Sequence, residues 1–368
     1  MSDDSPRSAG RGLPFGRVLV TGAAGFIGAK VAELLRLAGV ETIGADDLNP
    51  YYSPALKRAR LDHLEGIEAP GDFIFHQADL SDRTAAERLF DSAGPVSCVI
   101  HLAAQAGVRH SLTHPHAYAS ANLDGFLNVL EGCRRQAEAA ADDPENPDRP
   151  PPHLVYASSS SVYGANKDAI LKASEPADHP LSLYAATKRA NELMAHCYAH
   201  LYGLPCTGLR FFSVYGPWGR PDMAAWIFTE RILKGEPIDV FGEGRMSRSF
   251  TYIDDVAEAV VRVAALPPAA PPAGFQPDRP DVGTGPVRIV NVGGSESVEL
   301  TRMIAAVEAA CGATAEKRFL PMQPGDVPDT AADTAPLEAL VGLTPRTTVE
   351  DGIARFVAWF KEYHGMSD

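Results

Sequence analysis

The sequence predicts an α/β protein: a doubly wound parallel sheet followed by a smaller C-terminal α/β domain. Three observations predict it. Short apolar runs recur and end in glycine or small polar residues, as strands buried on both faces do. Helical periodicity fills the stretches between them. The first run, Arg17-Val-Leu-Val-Thr21, passes at once into Gly22-Ala-Ala-Gly25-Phe26-Ile27-Gly28 and then into helical residues 29–37.

That opening has the strand, glycine turn and helix that a dinucleotide fingerprint requires. Gly22, Gly25 and Gly28, with Phe26 and Ile27 between them, allow a tight turn and a pyrophosphate at the helix N-terminus. The plainer alternative is an ordinary βα turn. The G-x-x-G-x-x-G spacing resembles that of the short-chain dehydrogenase/reductase superfamily, which implies a Rossmann-type sheet. Residues 40–45 read as the second strand and end at Asp46-Asp47. An acid there suits the adenosine ribose hydroxyls and selects NAD over NADP. Asp46 is the candidate, Asp47 the neighbouring alternative, and capping a turn the plain role for either.

Residues 73–75 form the third strand, leading to Asp79-Leu80. The superfamily resemblance places such a pair beside adenine, whereas the plain reading of Asp79 is a helix cap. Residues 98–102 are the fourth strand, followed by small residues that let the backbone pass close to a cofactor. His101, His110, His114 and His116 lack a metal-ligand spacing, so no metal is expected. A helix over 117–135 precedes an acidic, Pro-rich insertion at 136–152. The fifth strand, 153–157, delivers Ser158-Ser-Ser-Ser161 at its C-terminal end, where open α/β sheets place ligands. At least one of these hydroxyls is expected to face the ligand.

The next segment carries the chemistry. Ser182-Leu-Tyr184-Ala-Ala-Thr-Lys188 lies in a stretch rich in alanine and leucine and free of proline and glycine, hence helical. Positions four apart share a helix face, so Tyr184 and Lys188 project into one cleft. A free tyrosine, with a pKa of about 10, is a poor base at neutral pH. A lysine cation held nearby favours its phenolate. The pair means little alone, because Tyr and Lys four apart are common on surface helices.

Residues 207–212 are a sixth strand. The Gly/Pro/Trp-rich stretch 213–222 then leaves the sheet and begins the second domain. A helix at 227–234, strands at 238–241 and 248–253, a helix at 256–265 capped by Asp254-Asp255, a Pro/Ala/Gly-rich excursion at 267–286, a strand at 289–292 and helices within 298–311 and 349–363 follow. The predicted organisation is a disordered tail at 1–16, an NAD-binding domain at 17–212 to which 249–265 returns, and a substrate domain at 213–368.

Composition sets bounds. The chain has 368 residues, 45% of them apolar, enough for a large core. A formal charge of -14 argues against nucleic-acid or anionic-membrane partners. The five scattered cysteines contain no C-x-x-C, which points to reduced thiols, a cytoplasmic location and no zinc. No apolar run approaches the roughly 18 residues of a membrane span.

Taken together, the glycine turn, Asp46, the serine run and Tyr184 with Lys188 resemble the extended short-chain dehydrogenase/reductases that act on sugar nucleotides. The resemblance runs from about residue 17 to 359. Within that group the stretches Asp47-Leu-Asn-Pro-Tyr-Tyr52 with Leu56-Lys57, Ser182 to Lys188, Arg210-Phe-Phe-Ser-Val-Tyr-Gly-Pro-Trp-Gly-Arg-Pro-Asp-Met223 and Met246-Ser-Arg-Ser-Phe-Thr-Tyr-Ile-Asp-Asp255 resemble the UDP-glucuronate 4-epimerases. The resemblance implies that Tyr184 takes the proton of the sugar 4-hydroxyl and that Lys188 holds the nicotinamide ribose. It gives Ser159 the catalytic hydroxyl and sets Ser160, Ser161 and Ser213 near the sugar. Arg220 is implied as the contact to the uronate carboxylate and Arg248 as the contact to the UDP diphosphate. The family pattern also implies a homodimer, supported in this sequence by Leu123, Phe126, Leu127 and Leu130. Related dehydratases and decarboxylases carry an acid just before Val162-Tyr163, and Ser159-Ser-Ser161 has none. A UDP-glucose 4-epimerase and an NAD-sensing scaffold of the same fold are the alternatives.

Overall fold

The computed structural model describes residues 13–294, 296–322 and 329–366. Most of the expected N-terminal tail, residues 1–12, lies outside the described residues. A central parallel sheet contains β1 (Arg17–Thr21), β2 (Glu41–Asp46), β3 (Phe73–Gln77), β4 (Cys98–His101), β5 (His153–Ser159), β6 (Cys206–Phe211) and β7 (Val287–Val292). Its seven strands run in the order β7-β6-β5-β4-β1-β2-β3. The order reverses between β1 and β4, and such a switch point opens a crevice at the carboxyl ends of the strands.

Alternation along each strand separates two apolar layers. Val18, Val20, Ile100 and Val155 face one layer, built with α1 (Phe26–Leu37) and the later helix Ile253–Ala264. Leu19, Val99, Leu154 and Tyr156 face the other, together with residues of the helices Gly125–Ala141 and Leu183–Tyr202. The first turn is close-packed: a Cβ on Gly28 would lie 2.0 Å from the Gly22 carbonyl oxygen, and one on Gly22 (φ +73°) 2.7 Å from the Ala103 nitrogen. Side chains there would push the helix and the β4 loop apart.

Several expectations are corrected. β7 comes from the segment assigned to the second domain, yet it pairs with β6 from Val287↔Cys206 to Val292↔Phe211. Its apolar, mostly buried run suits an inner strand. The helix expected at 117–135 runs from Pro115 to Ala141, absorbing the start of the supposed insertion, and is interrupted by a π-helical turn at Ser120–Asp124. The single strand expected at 248–253 divides into Ser247–Arg248 and Phe250–Tyr252, since Ser249 turns its hydroxyl to the Gly294 carbonyl. Asp254 and Asp255 do not cap the following helix. Asp255 instead accepts from the backbone nitrogens of Arg346 and Thr347, and Asp254 pairs with Lys30.

After β6 the chain builds a smaller α/β layer. Ser213–Tyr215 pairs with Phe250–Tyr252, and Ile238–Phe241 with Lys317–Leu320. Trp226 meets Phe356, Trp359 and Phe360 of the last helix, Val349–Tyr363, in an aromatic cluster.

Candidate active site

One cleft runs along the carboxyl edge of the sheet. Its wall includes Gly22, Gly25, Phe26, Ile27 and Gly28 of the first turn, Asp46, Asp79 and Leu80 at the ends of β2 and β3, then Ser159, Tyr184, Lys188 and Arg220. Residues spread over about two hundred positions of sequence thus meet in one cleft.

The catalytic candidates are fixed by short local bonds. Tyr184 opens the helix Leu183–Tyr202, whose N-cap Ser182 accepts from the Ala185 nitrogen at 3.1 Å. Lys188, one turn later and 2% exposed, donates to the Ala157 carbonyl of β5 at 2.8 Å. Burial pulls its ammonium down to about 8, so it remains protonated at neutral pH. Burial pushes the Tyr184 phenol above its ordinary range, while a hydrogen bond with the Ser159 hydroxyl and the Arg220 charge pull the other way. Here the sequence reading is refined. In this geometry the cation opposing burial at Tyr184 is Arg220, and Lys188 is engaged with the strand.

Two buried networks hold this geometry. Behind Ser159, Glu192 accepts from Ser158 Oγ at 2.6 Å and from Arg210 Nε and Nη2 at 2.9 Å each. These bonds hold its carboxyl below the usual range despite burial. Beside Tyr184, Asn122 in the π-helical turn donates to Thr187 Oγ1 at 3.0 Å and accepts from the Gln105 nitrogen at 2.8 Å. Insertion of a π turn re-aims one side chain relative to a regular helix. Asn122 thereby ties the loop after β4 to the tyrosine helix.

The cofactor half fits a dinucleotide on the chain's own geometry. Asp46 is 7% exposed and accepts from the Leu48 nitrogen at 2.8 Å and from Lys57 Nζ at 3.2 Å. Both donors reach Oδ1, and among the described residues Oδ2 has no protein donor, which leaves it to the ribose hydroxyls. Burial raises its pKa and Lys57 opposes that rise. Asp47 lies further from Lys57, at 3.6 Å, and bonds the Asn49 backbone and side chain. Asp79 accepts from the Ser81 nitrogen and hydroxyl, but the cap of the next helix is Asp82. No group of side chains suited to a metal occurs among the described residues.

The substrate half is less complete than expected. Ser160 and Ser161 sit in the 3-10 turn Ser160–Tyr163 rather than in the cleft wall, and the Ser161 nitrogen donates to Ser159 Oγ at 3.2 Å. Ser213 lies in the short strand Ser213–Tyr215, whose neighbours Phe212 and Val214 take the wall positions. Arg248 is on the strand Ser247–Arg248, away from that wall, and donates to the Ser247 carbonyl at 2.8 Å. Arg220 does reach the wall. Its Nε and Nη2 donate to the two carboxylate oxygens of Asp222 at 2.9 and 2.8 Å, and Tyr51 donates to the same carboxylate at 3.0 Å. Burial raises the Asp222 pKa, but these donors more than reverse it.

Sequence reasoning gave no role to Asp222, Tyr51 or Arg60. Arg60, fully buried on the helix Pro54–Gly66, donates to the carbonyls of Trp218 at 2.6 Å, Gly219 at 3.3 Å and Ala24 at 2.9 Å. It thus fastens the Arg220 loop to the glycine turn. Trp218 is held at φ +63°, an unusual conformation for a large side chain. Tyr51 and Asp222 fall within motif stretches, which was their only signal; Arg60 offered none.

Comparisons with known proteins agree with this layout. The profile described as the NAD dependent epimerase/dehydratase family matches residues 18–275. A probable UDP-glucuronate 4-epimerase of Rhizobium meliloti is 47% identical over 351 residues, 94% of this chain and 97% of that protein. The crystal structure of UDP-glucuronic acid 4-epimerase from Bacillus cereus, in complex with UDP-glucuronic acid and NAD, superposes with a TM-score of 0.78 at 29% identity, over 94% of this chain and 99% of that one. The UDP-glucose 4-epimerase of Thermus thermophilus with NAD superposes with a TM-score of 0.75 at 31% identity, over 94% of this chain and 99% of that one. Backbone likeness therefore does not separate acidic from neutral sugars.

Proposed function

The chain belongs to the NAD dependent epimerase/dehydratase family, and from that premise we propose that it is an isomerase interconverting UDP-glucuronate and UDP-galacturonate by inversion at C4. The observation that carries the reading is the meeting of Ser159, Tyr184, Lys188 and Arg220 in the wall that also holds the glycine turn and Asp46. Gly22, Gly25, Phe26, Ile27 and Gly28 hold the pyrophosphate, Asp46 the adenosine ribose, and Asp79 and Leu80 the adenine. NAD held there would supply the redox chemistry, a reversible hydride transfer at C4 with no net oxidation.

The side chains manage protons and orientation. Tyr184 takes the 4-hydroxyl proton as the 4-keto sugar forms and gives it back after the sugar has turned over. Ser159 shares that proton through its hydrogen bond to the phenol. Lys188 holds the ribose beside Tyr184. Arg220 binds the uronate carboxylate, since a guanidinium offers parallel donors that a lysine lacks. Arg248 meets the diphosphate, and Ser160, Ser161 and Ser213 complete the sugar contacts. A cytoplasmic homodimer belongs to the same proposal. Of the residues read as its support, Phe126 and Leu130 are fully buried and Leu127 is exposed. Leu127, Leu183, Leu193, Leu201 and Tyr202 are the exposed large apolar residues on the two adjoining helices.

The test is direct. Purified protein is incubated with UDP-glucuronate and the products are separated by anion exchange, while bound nucleotide is released by acid and identified. Appearance of UDP-galacturonate with NAD recovered supports the reading. Turnover of UDP-glucose alone would move the neutral-sugar epimerase ahead.

A further inference from the structure

Arg220 and Asp222 are two residues apart, yet their side chains are paired edge to edge. Nε donates to Oδ1 at 2.9 Å and Nη2 to Oδ2 at 2.8 Å, and the Tyr51 hydroxyl adds a third donor to Oδ2 at 3.0 Å. The cleft wall contains Arg220, Tyr51 and Met223 but not Asp222. The carboxylate therefore stands behind the two groups that face the ligand.

We propose that Asp222 is a positioning residue for substrate selection. From behind the wall it locks the Arg220 guanidinium and the Tyr51 hydroxyl into one unit, so that a uronate carboxylate meets a pre-set arginine edge. The inference rests on the UDP-glucuronate reading above.

The donor count supports it. A guanidinium has five N–H donors in a planar fork. Asp222 consumes Nε–H and one N–H of Nη2, and among the described residues the one other acceptor at that nitrogen is Met223 Sδ at 3.7 Å. Among the described residues Nη1 has no protein acceptor. The Nη1/Nη2 edge is thus left for a second carboxylate in parallel, two-bond geometry. Arg60 fixes the backbone on the N-terminal side by binding the Trp218 and Gly219 carbonyls. Asp222 then fixes the side chain from the C-terminal side, so the arginine is held at both ends.

Charge points the same way. A largely buried guanidinium without a counter-ion is costly. Asp222 supplies that counter-ion when no substrate is bound, and the pair is close to neutral. Selection then depends on geometry rather than on net attraction. A neutral hydroxymethyl group leaves the Nη1/Nη2 edge desolvated and without a charged acceptor, and unpaired polar groups of this kind are what give hydrogen-bonding sites their discrimination.

The experiment measures dissociation constants for UDP-glucuronate, UDP-glucose and UDP by calorimetry, with kcat/KM for turnover, on the full chain carrying its nucleotide. Wild type comes first: a preference for UDP-glucose would overturn the uronate reading itself, and this inference with it. If wild type prefers UDP-glucuronate, Asp222→Asn should weaken that ligand about tenfold, the scale of one charge-assisted hydrogen bond. UDP and UDP-glucose should stay within about twofold, and adding Asp222→Asn to Arg220→Ala should cost nothing more. Tyr51→Phe, which leaves the ion pair in place, should give a smaller loss of the same selectivity and serves if Asp222→Asn fails to fold. Equal weakening of all three ligands, no weakening of UDP-glucuronate, or additive losses in the double variant would overturn the role of Asp222.

Discussion

Lys188 donates its ammonium to the Ala157 carbonyl over 2.8 Å, and this bond pins the helix that carries Tyr184 to the strand that carries Ser159. The two ends of the proton path are therefore set by one buried cation. Tyr184→Phe removes the proton acceptor and keeps the ring. It should lower kcat by roughly 10²–10⁴-fold, the usual contribution of a positioned acid–base group. Nucleotide content and melting temperature should stay at wild-type values. Steady-state kinetics and differential scanning fluorimetry on the same preparation check both, and activity within a few-fold of wild type would exclude the role.

Removing the guanidinium is a separate test. Arg220→Ala deletes the proposed carboxylate contact and strands Asp222. It should reduce kcat/KM for UDP-glucuronate by about one to two decades, equivalent to roughly 1.5–3 kcal/mol for a charge-assisted bond. UDP affinity should change little, since the diphosphate contact is assigned to Arg248. Equal losses on UDP-glucuronate and UDP-glucose would make Arg220 structural.

Acid sensitivity follows from two buried histidines. His153 shares hydrogen bonds with the Ala264 carbonyl at 2.9 Å and Thr207 Oγ1 at 2.8 Å, an arrangement that suits a neutral ring. Burial lowers its pKa from 6.5 to about 4, and burial lowers that of His101 from 6.5 to about 3. Between these values and 6.5 the unfolded chain binds more protons than the folded one, so stability rises with pH there. It is lost as pH falls from about 6.5 towards 4, at about 1.4 kcal/mol per pH unit for each group. Urea midpoints measured across that range should show the slope. His153→Gln should flatten it by about one proton, and an unchanged slope would contradict a neutral buried His153.

The dimer proposal makes its own demand. Leu193 is 54% exposed and Leu201 66% exposed on the helix Leu183–Tyr202, and Leu127 adds a third apolar side chain on the neighbouring helix. Leu193→Glu with Leu201→Glu should convert a dimer to a monomer in sedimentation velocity at micromolar concentration, with the melting temperature lowered. A wild-type monomer under the same conditions would remove the dimer.

What the sequence made legible was local. The glycine turn, the acid after β2, the serine run and the Tyr184–Lys188 pair each announce themselves within a few residues, through periodicity and turn chemistry. The cleft that gathers them follows from strand order. The rest was hidden by distance along the chain. Tyr51 and Asp222 meet across 171 positions and Arg60 and Trp218 across 158, and no local pattern encodes either contact. The π-helical turn was invisible for another reason: the polar residues of Ser120-Ala-Asn-Leu-Asp124 weaken a helix without specifying a π turn, and the Asn122 bond to Thr187 spans 65 positions. β7 was placed in the wrong layer because an apolar strand does not state which sheet it will join.

That last strand has a consequence for how the protein is made. All six residues of β6 are buried, and its outer edge is covered only when β7 arrives, about eighty positions later in synthesis. Pairings between segments so far apart form slowly, and an apolar edge left open meanwhile is a template for association with other chains. A nascent or truncated polypeptide ending near residue 212 would present that edge. The nucleotide-binding half therefore cannot be cut free as an independent module by stopping the chain where the sugar-binding half begins.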